Sequence, residues 1–552
     1  MTIRGRISVL ALCLCLPAGY TAADEAVNPQ VAKIMDEVSE ARIRATIEKL
    51  VSFGTRNTLS NAEDPEHGIG AARQWIFSQL QSYSPRLEVR FDKYRVKKQG
   101  QRIFKDVDLW NVIAVLPGKK DPDTQILISA HYDSLNMGRP AGNGPAGPGS
   151  ETQPAEGAGA GGGAAAGGGG GFGRGAQMTP ADYERTANVP APGACDDGSG
   201  TAAMMELARV MSHYEFDKTL VFVAFAGEEQ GLVGSNLLSA KMKKENATIE
   251  AVLNNDIIGT DVSGNGRVSN NSVAVYSDEI MDSPSQTLAR YAREIGERYM
   301  PFFKVNTIFF QDRIGRGGDH TPFQLEGYAA VRISTPNEIY ANQHHATDTL
   351  ENMSVPYTAR VARFNGVVAA SLALAPKAPL VTRQAGAFGR GRGNAEGQGG
   401  GRGRGRGARG GNPTDGAAPQ ATNIADAGAA ANSGAGRGAG QGEGRGQGQG
   451  QGGGRGRGPM LSRGSGYDAV LQWRPAESED AIKGYSVLMR ATTAPYWEQE
   501  IYVGKVNSYT LKDISIDDVR FGVKAIGVDG TESLVTPYVN PPRQKTVIET
   551  VE

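Results

Sequence analysis

Residues 219–225 form an unbroken apolar run, Thr-Leu-Val-Phe-Val-Ala-Phe, of strand length and rich in β-branched and aromatic groups. A strand with no polar position has both faces covered, as in a largely parallel sheet between helices. Residues 232–242 follow with helical spacing, so Gly227, Glu228 and Glu229 occupy a strand-to-helix corner, where ligands bind in open α/β sheets. The same patterns predict strands at 87–94, 109–116, 125–130, 249–255, 273–276, 306–310 and 328–333. Helical spacing covers 31–53, 73–83, 201–214, 286–299 and 356–374, with a short helix after the glycine-rich loop 316–323. Strands alternating with helices predict an α/β domain whose mixed, mainly parallel sheet is covered on both faces. Beyond 466, short runs at 469–473, 484–490, 500–503, 508–511, 519–525 and 533–539, spaced by turn residues, predict a small all-β sandwich.

Composition divides the 552 residues further. Residues 1–23 read as a signal peptide: Arg4 and Arg6, an apolar run too short to span a bilayer, then small residues suited to cleavage. The expectation is an exported protein, periplasmic or extracellular, with no transmembrane anchor. Within a first domain at 24–376, residues 139–192 are dominated by Gly, Ala and Pro, too poor in large apolar groups to offset the entropy of ordering, and read as a flexible insertion. Residues 377–465, mostly Gly, Arg, Gln and Ala from 383 on, read as a disordered linker to the domain at 466–552. An Arg/Gly tract can instead bind RNA, but no aromatic residues are interleaved in the repeats at 401–410 and the leader points to export, so no nucleic acid is expected. Net charge is −1, which gives no global field for nucleic acid or membrane. Cys13 and Cys15 fall in the leader, leaving Cys195, which has no activating partner in sequence and reads as a small packing residue.

Chemistry concentrates at the predicted strand ends. His131, Asp196, Glu229, Asp256 and His344 lie there or on adjoining loops, and imidazoles with carboxylates suit zinc. One carboxylate more than a tetrahedral site needs points to two ions sharing a bridge. Asp133 is spaced to hydrogen-bond the His131 imidazole and fix its tautomer. Consecutive residues leaving a strand point apart, so Glu228 and Glu229 can take two tasks, one moving a proton and one holding metal. Each residue alone has a plainer reading, an edge histidine, a helix cap or a turn aspartate; five together at strand ends do not.

His131-x-Asp133, Asp196-Asp197-Gly-Ser-Gly, Gly227-Glu228-Glu229-x-Gly231-x-x-Gly234-Ser235, Asn255-Asp256-x-Ile-Gly259, and a late His before Asp348-Thr349 follow in order. This series resembles metallopeptidase family twenty-eight, the secreted co-catalytic zinc aminopeptidases, over about residues 30–376. The resemblance implies a phosphorylase/hydrolase-like three-layer α/β/α sandwich holding two zinc ions. It implies that His131 and Asp256 bind one zinc, Glu229 and His344 the other, and that Asp196 bridges. It makes Glu228 the general base toward a water bridging the ions. The substrates would be peptides or proteins with a free N-terminus. By the spacing to Asp348 it favours His344 over the alternative ligand His345. Family members carry a tyrosine where this chain has Gln343, so oxyanion stabilisation is expected elsewhere, with Tyr340 the candidate. Asp197, Asp319 and His320 are expected around the ligands or facing substrate. Two other functions fit the fold, a glutaminyl-cyclase-like acyltransferase using one zinc and a non-catalytic binding protein; the full ligand set and an intact Glu228 favour the peptidase. Trp473, Gly484-Tyr485-x-Val and Val519-x-Phe-x-Val resemble a fibronectin type III module, which would bind a surface or polymer, or act as a spacer.

Overall fold

The computed structural model describes residues 27–138, 178–313, 316–381, 461–463, 468–476, 479–514 and 516–539; the expected leader at 1–23, residues 139–177 and nearly all of the expected linker at 377–465 lie outside them. In chain order the first part comprises α1 (Pro29–Asp36), α2 (Glu40–Ser52), α3 (Gly68–Tyr83), β1 (Glu88–Val96), β2 (Val107–Leu116) and β3 (Asp121–His131). It continues with α4 (Pro180–Thr186), α5 (Gly198–Met211), β4 (Lys218–Phe225), α6 (Val233–Lys244), β5 (Thr248–Asn255) and β6 (Ser272–Tyr276). α7 (Pro284–Tyr299), β7 (Lys304–Ile308), α8 (His320–Leu325), β8 (Ala330–Ser334) and α9 (Val355–Leu374) complete it.

The eight strands form one sheet in the order β1-β2-β4-β3-β5-β8-β6-β7. The central ladders β4·β3, β3·β5 and β5·β8 are parallel, while β1·β2, β2·β4 and β8·β6 are antiparallel. All eight positions of β4 are buried. Because side chains alternate across a strand, Leu220, Phe222 and Ala224 enter a core shared with α1, α2, α3, α5, α7 and α9. Val221, Val223 and Phe225 face the other way, onto Leu238 and Met242 of α6 and Phe323 of α8. The chain therefore has three layers, and the apolar run with no polar position is explained by a strand buried on both sides. The helical pattern over 31–53 is two helices, α1 ending at Asp36 and α2 starting after Ser39, whose side chain accepts from the Arg42 N–H.

The insertion differs from expectation at its C-terminal end. Residues 178–192 are structured: Thr179 and Asp182 form a capping box at the start of α4, Tyr183 and Thr186 are buried, and Ala191 bridges to Thr55. A Gly/Ala-dominated composition over the whole segment hid a short stretch with its own start signals, Thr-Pro and an acid three residues on.

The C-terminal part is all-β, with β9 (Leu461–Arg463), β10 (Ala469–Gln472), β11 (Ile482–Ala491), β12 (Gln499–Gly504), β13 (Ser508–Leu511), β14 (Val519–Gly527) and β15 (Thr536–Pro537). They form two antiparallel sheets, β13-β10-β9 and β12-β11-β14-β15, around Trp473, Tyr485, Val487, Phe521 and Val523. The expected strand 533–539 is mostly irregular, keeping ladder pairing only at β15.

Candidate metal centre

Register gathers the site at one sheet edge. In the parallel ladders His131 lies beside Phe225, Ser129 beside Asn254, and Asn255 beside Ile333. The residues at or just past the ends of β3, β4 and β5 therefore emerge together: His131, then Glu228 and Glu229, then Asp256. The chain turns from β4 through Gly227 at φ +77°, where an added Cβ would lie 2.6 Å from Leu109 Cδ1. Asp196 arrives from the start of α5. Its neighbour Asp197 accepts from Gly200 N at 2.9 Å and Ile257 N at 3.2 Å, tying that helix to the end of β5. Gly200 is required there, since a Cβ would sit 2.4 Å from the Asp197 carboxylate. His344 comes from the loop after β8.

All five expected ligands converge. His131 Nε2 is 3.1 Å from Asp196 Oδ1 and 3.8 Å from Asp256 Oδ1. His344 Nε2 is 3.2 Å from Asp196 Oδ2 and 3.1 Å from Glu229 Oε2. Asp196 thus lies between two imidazoles, one oxygen toward each. The donor atoms fall into two groups, each with its members within 4.8 Å of one another: His131 with Glu228 and Asp256, and Asp196 with Glu229 and His344. His345 belongs to neither, and its buried backbone N–H donates to Asn342.

The donor set fits a cation. The buried Glu229 Oε1 makes no hydrogen bond, and His131 Nε2, though 3.1 Å from Asp196 Oδ1, has none of good geometry. Such orphaned donors and acceptors are costly unless something else binds them. The electrostatics agree: burial favours neutral imidazole, yet Glu229 and Asp196 outweigh it and push His344 up to about 10. Burial opposes charge on His131 too, and Glu228, Asp133, Asp196 and Asp256 raise it well above its usual range. Imidazoles driven to carry charge mark a carboxylate cage that is stabilised by positive charge. Burial pushes the Glu228 carboxyl well above the usual range, with His131 opposing and Asp256 and Glu229 adding. That is the direction a proton-transferring carboxylate needs.

The surrounding groups hold this geometry. His131 Nδ1 lies 3.2 Å from the backbone carbonyl of Asp133 and 3.6 Å from its Oδ1. The carboxylate itself accepts from Thr58 and from the N–H groups of Glu228 and Glu229, so Asp133 fixes the acidic corner as well as the imidazole. Asp348 accepts from the N–H groups of Cys195 and Asp196 at 2.9 and 3.0 Å. Asp319 accepts from Ser235 and makes no side-chain cap for α8. Tyr340 is 48% exposed, whereas Gln343 Nε2 donates to Asp196 Oδ2 at 3.4 Å. Cys195 is buried, and burial raises its thiol well above the usual range, in keeping with a packing residue. It lines, with Asp196, Ile257, Ile339 and Gln343, an open cleft beside the ligands.

Sequence reasoning missed two buried cations. Arg56 donates to the carbonyls of Leu50, Tyr132, Pro192 and Gly193, pinning the loops that carry His131 and Asp196. Arg332 on β8 lies with Nη2 3.1 Å from Asp256 Oδ1 and pairs through Nη1 with Asp312. Arg332 had a signal: an arginine inside the apolar run 328–333 requires a buried acid. Arg56 had none, since its partners are backbone carbonyls distant in sequence.

His320 Nε2 faces the Gln311 carbonyl at 2.7 Å, and burial lowers the imidazole from 6.5 to about 4. A depressed histidine contributes stability that is fully present above the unfolded value and lost as pH falls through the folded one. Unfolding stability should therefore drop by about 3 kcal/mol between pH 6.5 and 4 on this account. Denaturant melts across that window check it: His320→Gln should flatten the slope, and an unchanged slope would contradict the assignment.

Residues 111–369 match Peptidase family M28. Over 557 aligned residues the chain is 31% identical to a probable zinc metalloprotease of Pyricularia oryzae, covering 94% of this chain and 86% of that one. A probable zinc metalloprotease of Pyrenophora tritici-repentis is 27% identical over 92% of this chain and 96% of its own. Among solved structures, the LapA aminopeptidase of Legionella pneumophila aligns at TM-score 0.43 and 18% identity, over 62% of this chain and 74% of that one. With near full-length identity of 31% to the first relative, the chain belongs to peptidase family M28 and is a metallopeptidase.

Proposed function

We propose that the protein is an exported di-zinc aminopeptidase acting on peptides or proteins with a free N-terminus. The observation that carries this is Asp196, one carboxylate oxygen 3.1 Å from the His131 imidazole and the other 3.2 Å from that of His344. In this reading His131 and Asp256 would hold one zinc, Glu229 and His344 would hold the other, and Asp196 would serve both. Zinc held there would supply a water with its pKa lowered to about 7 and a Lewis acid for the scissile carbonyl. Glu228, at the corner anchored by Asp133, accepts the proton of the attacking water and delivers it to the departing amine. Asp133 and Asp348 keep the ligands aimed, and Arg56 keeps their loops together. Gln343, hydrogen-bonded to Asp196, takes the place beside the ligands, rather than the half-exposed Tyr340.

The apolar leader at 1–23 supports export to the periplasm or beyond, and no helix among the described residues is long and apolar enough to cross a membrane. We read the C-terminal β region as a fibronectin type III-like module from its two antiparallel sheets around Trp473.

One peptide series in free, N-acetylated and C-amidated forms tests the substrate. The proposal predicts sequential release from the free and amidated peptides and none from the acetylated ones. Release from acetylated but not amidated peptides would overturn the N-terminal assignment, and N-terminal cyclisation without release would identify an acyltransferase.

A further inference from the structure

The C-terminal β region meets the metallopeptidase part through charges withdrawn from water. Lys524 on β14 is 1% exposed, and its ammonium lies 2.8 Å from Glu294, 2.6 Å from Glu532 and 2.7 Å from Glu500. Arg298, one turn along α7 from Glu294, reaches Glu294 at 3.2 Å and Glu532 at 3.0 Å. Toward the start of α7, Arg490 of β11 and Arg290 converge on Asp282 at 2.6 and 3.2 Å. Glu294 and Glu500 sit at the rim, but Lys524, Arg290, Arg490 and Asp282 are buried and Arg298 nearly so, and burying such ions costs several kcal/mol each unless their partners are held in place, so these clusters belong to a fixed contact. Apolar and backbone groups join them. Leu534 enters the same hydrophobic core as α5 and α9. Thr531 donates to the Leu374 carbonyl, and Leu380 pairs with Arg474 through both backbone groups.

The same contact leads toward the metal ligands. Tyr496, between β11 and β12, has its hydroxyl 2.6 Å from that of Thr307 on β7 and its ring 6.3 Å from that of Phe309. Arg290 donates to the Pro495 carbonyl and lies over Phe309. Two and three residues past Phe309, Gln311 meets His320 and Asp312 pairs with Arg332, whose guanidinium sits on Asp256.

We propose that the C-terminal β region is a fixed buttress of the metal centre, docked on α7 and β7 of its own chain, rather than an arm that binds elsewhere at the end of a linker. The docking stands on these contacts alone; its effect on the ions rests on Asp256 being a ligand.

The test uses the full chain with a site-specific protease sequence inserted between Ala430 and Ala431, then cut. The two pieces should elute as one species at about 0.15 M and about 1 M salt, because buried pairs are little screened. Elution as separate pieces would overturn the docking. In the uncut chain, Tyr496→Ala should weaken zinc affinity, read by competition with a chromogenic chelator, by about threefold or more. Tyr496→Phe, which keeps the ring on Phe309, should stay closer to the parent. Unchanged zinc affinity in Tyr496→Ala, whatever its melting temperature, would overturn the buttress role. A parent chain that binds no zinc would sink the proposed activity instead, with co-elution still deciding the docking.

Discussion

Glu228→Ala should lower kcat by about 100- to 10,000-fold while the protein keeps its zinc, because the variant removes the group that takes the proton and leaves the ligands in place. The distinction matters at this residue. A Glu228 oxygen lies within 4.8 Å of donor atoms of His131 and Asp256, close enough to be taken for a third ligand. Paired measurements of kcat and metal content separate the two roles. Lost turnover with retained zinc identifies a base, and zinc lost together with turnover identifies a ligand. Glu228→Gln, which keeps the shape and the N–H contacts to Asp133, should reproduce the loss. Near-normal hydrolysis in either variant would contradict the assignment.

Asp196→Ala should be the most damaging single change among the ligands. Each of its carboxylate oxygens faces a different imidazole, so its removal weakens both halves of the cage at once. Metal polarisation of the carbonyl is worth several kcal/mol, and each 1.36 kcal/mol is about tenfold in rate, so turnover should fall about 1,000-fold or more. His344→Ala should remove one ion's worth of ligation, and His345→Ala should leave zinc and turnover near the parental level. The His344 ring approaches Asp196 and Glu229, whereas His345 lies outside both donor groups. Peptide assays on the three variants with metal analysis check the order, and parental activity in His344→Ala with loss in His345→Ala would reverse the choice of ligand.

The layered fold and the residues of the candidate site were legible for one physical reason. A central strand buried on both faces must be apolar through its middle, as at 220–225, so its polar residues collect at the ends where it leaves the sheet. His131, Glu228, Glu229 and Asp256 stand out against such runs. What was not legible depends on contacts between distant segments. Nothing near Arg56 announces that four backbone carbonyls will surround it, and the Asp133 carboxylate could be assigned to His131 but not to the N–H groups of the Glu228–Glu229 corner. The helix at 180–186 was concealed because composition averaged over a Gly/Ala-rich segment outweighed the local Thr-Pro-x-Asp start. The C-terminal strands were visible, and the resemblance they carry offers binding to a surface or polymer, or spacing, but no local pattern announces the contact with α7. Lys524 shows why: its three carboxylate partners come from α7, β12 and residue 532, and no local pattern marks a lysine as buried.

The central claim is a pair of ions held by one shared carboxylate. Titrating zinc into the metal-free chain, with the bound metal counted per polypeptide by mass spectrometry, tests it most directly. Two zinc ions per chain, with peptide hydrolysis restored as they bind, is the predicted result; saturation at one ion, or hydrolysis that persists with none, would contradict it.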